Sequence, residues 1–91
     1  MEESPRVAMI RERLSAALSP ESIDIVDESH KHAGHEGARS GGGHFVVTIV
    51  ADAFRGKRPL ERHRMVYDAL GEAMNREIHA LSIKAYASDE I

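Results

Sequence analysis

His44-Phe45-Val46-Val47-Thr48-Ile49-Val50-Ala51 is the stretch on which the fold turns. The β-branched run from Val46 to Val50 packs well on a pleated surface and crowds a helix, so these residues read as the strongest strand in the chain. Immediately upstream, residues 29–43 hold five glycines, and chain with that much backbone freedom resists regular structure. They read as a flexible Gly/His loop, longer than most connections in a compact domain and for that reason more often functional than idle. Before the loop, Ile23, Ile25 and Asp27 alternate with Asp24 and Val26, a short half-buried strand to about Glu28. Two strands flanking one loop most simply form an antiparallel pair.

Further out, Ser4 followed by Pro5 is a helix start, with a hydroxyl cap and a ring preset to helical φ. Val7, Ile10, Leu14, Ala17 and Leu18 then share one face, and Ser19-Pro20 ends the helix. Downstream of Ala51, residues 52–58 turn around Gly56 and Pro59 opens a second helix. There Leu60, His63, Tyr67, Leu70 and Met74 line a stripe that Val66, Ala69 and Ala73 widen, with Asn75 as the stop. Residues 79–86 alternate again, Leu81, Ile83 and Ala85 on one side, and the last five residues are expected to fray. The last strand should run parallel to the second, because a helix joins them as a crossover. The expected fold is a single small α/β (α+β) domain over residues 1–91, in the order α-β-β-α-β, with a three-stranded mixed sheet and both helices packed on one face.

Composition narrows the chemistry. Ninety-one residues bury a modest core. The formal charge of −3 gives the molecule no general attraction for nucleic acid. The absence of cysteine removes disulfides, a thiol nucleophile and any all-thiolate metal site. The acidic Met1-Glu2-Glu3-Ser4-Pro5 is unlike a secretory or transit peptide, and no apolar run approaches a membrane span, so a soluble cytoplasmic protein without membrane association is expected. No phosphate-binding glycine fingerprint, nucleophile elbow or paired carboxylate arrangement is present, and the chain is not expected to be an enzyme. Gly34-His35-Glu36-Gly37 fits a Gly-x-x-Gly clamp, but it lies between two strands rather than two helices and is discounted.

Six histidines are the unusual number. His30, His32 and His35 lie in the loop and His44 closes it; imidazoles on a flexible segment suit a metal, yet solvated polar filler has the same spacing. His63 falls on the helical stripe and reads as packing. His79 heads the last strand, where a satisfied core histidine and a fixed but reachable ligand are both open; strict alternation gives it the Leu81 face. Arg55, Lys57, Arg58, Arg62 and Arg64 lie close together with one acid, Glu61, between them, a basic patch for nucleic acid or a partner against the plainer reading of a solvated charged face. No aromatic residue interleaves them, so a base-stacking signal is missing.

Arg62-His63-Arg64-Met65-Val66-Tyr67, then Leu70, then Ile78-His79-Ala80-Leu81 closely resemble the BolA family. Val26-Asp27-Glu28-Ser29 before the loop, Gly43-His44-Phe45 after it and Phe54-x-Gly56 before the helix add to the resemblance, which runs from about residue 6 to 86. It implies a class II KH-like fold. It also implies a monothiol glutaredoxin as partner, the heterodimer sharing a [2Fe–2S] cluster to which glutaredoxin and glutathione give thiolates. In that arrangement the BolA protein gives an invariant histidine, matched by His79, and a loop ligand, matched by His32 with His35 as the alternative. The implied role is non-enzymatic, in iron–sulfur trafficking or iron and redox regulation. The alternative is a DNA-binding transcriptional regulator using Arg55, Lys57, Arg58, Arg62 and Arg64, and weak homodimerisation is a further expectation.

Overall fold

The computed structural model describes residues 4–28, 43–76 and 78–91. Helix α1 spans Pro5–Leu18, strand β1 Ser22–Asp27, strand β2 Gly43–Val50, helix α2 Pro59–Leu70, the one-turn helix α3 Ala73–Arg76 and strand β3 Ile78–Tyr86. Short 3₁₀ turns at Asp52–Phe54 and Ser88–Glu90 follow β2 and β3. The sheet order is β1-β2-β3, with β1 antiparallel and β3 parallel to β2. The expected mixed sheet and its crossover are therefore present.

Local chemistry explains the boundaries. The Val7 N–H donates to Ser4 Oγ at 3.2 Å, the expected cap, and Pro5 follows it. Chain reversal after α1 puts Ser19 in the left-handed region at φ 45°, its N–H donating to Ser15 O. At the start of α2 the Arg58 N–H donates to Glu61 Oε1 at 3.0 Å, a carboxylate satisfying a donor that the first turn leaves free. The single second helix expected from the periodicity is divided at Gly71, which adopts φ 56° and donates its N–H to Tyr67 O. A side chain there would be strained, so glycine ends α2 before Asn75 is reached.

The core lies between the helices and one face of the sheet. Phe45, Val47 and Ile49 of β2 are wholly buried and meet Ile10 and Leu14 of α1 and Val66 and Leu70 of α2. Register carries this face outward: Val47 pairs with Ile25 and Ile83, and Ile49 with Ile23 and Ala85. Two arginines of α1 tie it to its neighbours, Arg11 Nη1 donating to Ile23 O of the sheet and Arg13 Nη1 to Leu70 O of α2, each at 3.1 Å. On the opposite face Asp24, Val26, Ser82, Lys84 and Tyr86 are exposed.

The stripe on α2 lies about one residue away from the expected line. Leu60 is 62% and Tyr67 41% exposed, whereas Val66, Leu70 and, beyond the turn, Ala73 are buried. Arg62 takes the sheet-facing place in the first turn because that side offers its guanidinium acceptors, the carbonyls of Lys57 and Ala85 and the carboxylate of Glu90. His63 is half-buried on the flank of the helix rather than in its seam. Among the described residues no helix is long and apolar enough to cross a membrane.

Candidate functional site

The end of the sheet at which residues 29–43 join β1 to β2 in sequence is built from three short pieces of backbone. The Glu28 N–H donates to His44 O at 2.8 Å, so the two ends of the 29–43 segment are tied across β1 and β2. Beside them, the β2–β3 ladder slips. Gly43 is opposite Ile78 and His44 is opposite Ala80, which leaves His79 as the extra residue with no counterpart of its own. A one-residue bulge of this kind breaks the side-to-side alternation of a strand and bends it locally. The consequence is visible in burial: Ile78 is only 3% exposed and joins the core, against which Leu81, Ile83 and Ala85 pack further along. Strict alternation therefore does not run unbroken through the slip, and the face of the His79 side chain lies outside what the structure describes.

His44, on the ladder next to the slip, is half-buried and points to the face away from the helices, with Val46 and Thr48. His30, His32 and His35, the loop histidines, lie outside the described residues. The topology thus puts His79 of β3 next to Gly43 and His44, the point where the histidine-bearing segment rejoins the sheet. Among the described residues there is no cluster of metal-ligating side chains and no pocket.

The other end of β3 is organised around Arg62. Its Nε donates to Lys57 O at 2.9 Å, its Nη1 to Ala85 O at 3.0 Å and to Glu90 Oε1 at 2.6 Å, and its Nη2 to Glu90 Oε2 at 2.8 Å. A planar fork meeting a planar carboxylate through two parallel bonds is the strongest form of this ion pair. The Arg62 side chain is only 11% exposed and its guanidinium carbon lies 6.0 Å from the Phe54 ring centroid. Glu90 Oε1 also accepts the Ala87 N–H at 2.8 Å. These bonds, that from Arg62 first, pull the Glu90 carboxyl down to about 2 and hold the Arg62 guanidinium above its ordinary value. Arg55 is paired as well, to Asp52 at 2.8 Å and Asp89 at 3.1 Å, and the hydrogen bond to Asp52 is the main reason its pKa is raised.

The basic stretch is accordingly not a uniform surface. Arg55 and Arg62 are held by acids, while Lys57, Arg58 and Arg64 are exposed and have no ion pair among the described residues. Asp52, Asp89 and Glu90 were not singled out from the sequence. Glu90 carried a local signal, an acid three residues after Ala87 that caps the turn it sits in. The turn itself, Ser88–Glu90, replaces the fraying expected of the last five residues, because Arg62 and Arg55 anchor it. The slip at His79 also had a signal: Ile78 and Leu81 are both apolar but three residues apart, which an unbroken period of two does not allow.

Fold and surface together define a small α+β domain with a three-stranded mixed sheet covered by helices on one side. The family model described as BolA-like protein matches residues 14–90. The chain is 42% identical over 81 residues to the DNA-binding transcriptional regulator BolA of Escherichia coli (strain K12), covering 89% of this chain and 74% of that protein. It is 41% identical over 87 residues to SufE-like protein 1, chloroplastic/mitochondrial, of Arabidopsis thaliana, where it covers 90% of this chain but spans only 24% of the relative's length. Among solved structures, the BolA domain of SufE1 from Arabidopsis thaliana superposes with a TM-score of 0.86 at 39% identity, covering 99% of this chain and 100% of that one. The solution structure of BolA1 from Mus musculus gives 0.80 at 41% identity, covering 97% and 69%. The chain belongs to the BolA family.

Proposed function

We propose that this protein is a non-catalytic accessory protein that pairs with a monothiol glutaredoxin and shares a [2Fe–2S] cluster with it, in iron–sulfur cluster trafficking or iron and redox regulation. The observation that supports this reading best is the position of His79, the unmatched residue of a strand slip, next to the strand residues on which the His32- and His35-bearing segment ends. A histidine on a strand and histidines on the adjoining segment make a nitrogen-only donor set, which suits iron. With no cysteine in the chain, every thiolate must come from the glutaredoxin and its glutathione. His79 would hold one iron together with His32, or with His35 as the alternative loop ligand. When bound, such a cluster supplies an electron-accepting and transferable iron–sulfur unit whose potential imidazole ligation raises. The chain's own part is to contribute imidazole ligands and to give the partner a surface to bind.

The test is to reconstitute the protein with a monothiol glutaredoxin, glutathione, iron and sulfide and to record visible circular dichroism. A spectrum distinct from that of the glutaredoxin alone, lost in His79→Ala and in the His32→Ala/His35→Ala double variant, is expected. Spectra unchanged by both variants would sink the ligand assignment.

A second reading, a nucleic-acid-binding regulator, is supported by the name of the Escherichia coli relative and by the exposed Lys57, Arg58 and Arg64. Duplex binding that weakens steeply with salt and with Arg58→Glu/Arg64→Glu supports it; affinity indifferent to salt overturns it.

A further inference from the structure

Arg55, Lys57, Arg58 and Arg62 surround the start of α2, and four acids face them: Asp52, Glu61, Asp89 and Glu90. The acids are not equivalent. Asp52 and Glu61 belong to the same turn and helix start as the cations. Asp89 and Glu90 come from the turn after β3 and reach across to Arg55 and Arg62, 34 and 28 residues away in sequence. With that turn docked the cluster is balanced, four charges against four. With it undocked the same cluster carries two unbalanced cations, one of them a planar fork.

The docked arrangement has the form of a filled anion site. Arg62 directs two parallel N–H bonds at Glu90, the geometry with which a guanidinium takes a phosphate as readily as a carboxylate. Its other two bonds, to the carbonyls of Lys57 and Ala85, fix the fork from behind, so it stays aimed at the same place without Glu90. Lys57 and Arg58 lie at the rim and are exposed. Glu90 is itself 41% exposed, so water and competing anions reach the bond it makes.

We propose that the turn Ser88–Glu90 is a masking latch, in which Asp89 and Glu90 occupy Arg55 and Arg62 in place of nucleic-acid phosphates, and whose release completes a basic surface made of Arg55, Lys57, Arg58 and Arg62. This deepens the second reading above and rests on it. In the masked state Lys57 and Arg58 are the cations of this surface open to a duplex. The released state adds two phosphate contacts.

The experiment measures binding of a 20-base-pair duplex by fluorescence anisotropy from low to moderate salt. It uses the full chain, the Asp89→Ala/Glu90→Ala variant and a control of equal net charge, Glu12→Ala/Asp68→Ala, whose acids are exposed on α1 and on α2 away from its start. The latch variant should bind more tightly and its log K against log salt slope should steepen by about 2, since each phosphate contact contributes roughly 0.9. The control should bind as the change in net charge alone dictates, with the slope of the unaltered chain. Should the double variant not fold, Asp89→Asn against Asp68→Asn decides, with an expected steepening of about 1 from Arg55. Equal slopes for latch variant and control overturn the latch while leaving the nucleic-acid reading standing. No duplex binding by any variant at low salt overturns both. A gain on polyglutamate but not on duplex assigns the unmasked surface to an acidic protein instead and overturns the proposal.

Discussion

The two ends of β3 are finished in opposite ways. At Tyr86 the strand is pinned: Arg62 bonds Ala85 O, the Ala51 N–H donates to Tyr86 O, and the following turn is clamped by Glu90 on Arg62 and Asp89 on Arg55. At Ile78 the ladder slips, and His79 stands without a counterpart beside the place where residues 29–43 return. The pinned end is held by hydrogen bonds and ion pairs within the chain, with Ser88 Oγ buried and unpartnered among the described residues. The slipped end carries a metal-ligating residue type at the edge of a ladder. The clamp and the proposed ligand residue thus lie at opposite ends of one strand, so either can be altered without touching the other.

That separation can be broken or sharpened by substitution. The largest expected effect is on the proposed shared cluster: His79→Ala should abolish the visible circular dichroism of the mixture reconstituted with a monothiol glutaredoxin, whereas Arg62→Ala, at the other end, should leave it in place. Next comes Phe45→Ala. Phe45 is wholly buried one step inside the slip, paired with Leu81, and its truncation should cost about 3–5 kcal/mol in denaturant unfolding. A cost below about 1 kcal/mol would mean that Phe45 is not packed in the core in solution. Arg62→Ala should cost about 2 kcal/mol by loss of charge-assisted bonds to carbonyls and carboxylate, and Arg62→Lys should not restore it, because an ammonium cannot reproduce the fork. Ser4→Ala, remote from both ends, should cost about 1 kcal/mol and add to Arg62→Ala within about 0.5 kcal/mol.

The smallest effect is also the most specific. Glu90 has its carboxyl lowered from 4.5 to about 2 by Arg62 and the Ala87 N–H, so it stabilises the folded chain above its unfolded value and loses that contribution as pH falls through about 2. The difference in melting temperature between the unaltered chain and Glu90→Ala should be constant above about pH 5 and should shrink towards zero near pH 2. A difference that vanishes already near about pH 4 would mean that the clamp is not formed in solution.

The parts of the fold governed by local pattern were legible. The β-branched run at Val46–Val50, the Ser4-Pro5 helix start and the crossover between β2 and β3 each follow from neighbouring residues, and each is present. Family membership was legible from the motifs around Arg62, His79 and Phe54. The features that escaped depend on partners distant in sequence. Nothing near residue 90 announces that Arg62 will meet it, so the last turn looked free. The same contact drew Arg62 towards the sheet and left Leu60 and Tyr67 outside. The slip at His79 escaped because an alternating pattern was extended one residue too far past Ala80. His79 is open on residue type alone, and the ladder adds only that its backbone lies at the slip beside Gly43 and His44.

The bond from the Glu28 N–H to His44 O has a consequence for how this domain can diversify. It closes the frame at the mouth of the 29–43 segment, so the sheet is complete whatever lies between. Doubling the length of a connection whose ends are already held adds only about 0.6 kcal/mol of closure entropy. The segment can therefore be lengthened, shortened or rewritten as an exchangeable cassette while the scaffold that carries it is inherited unchanged.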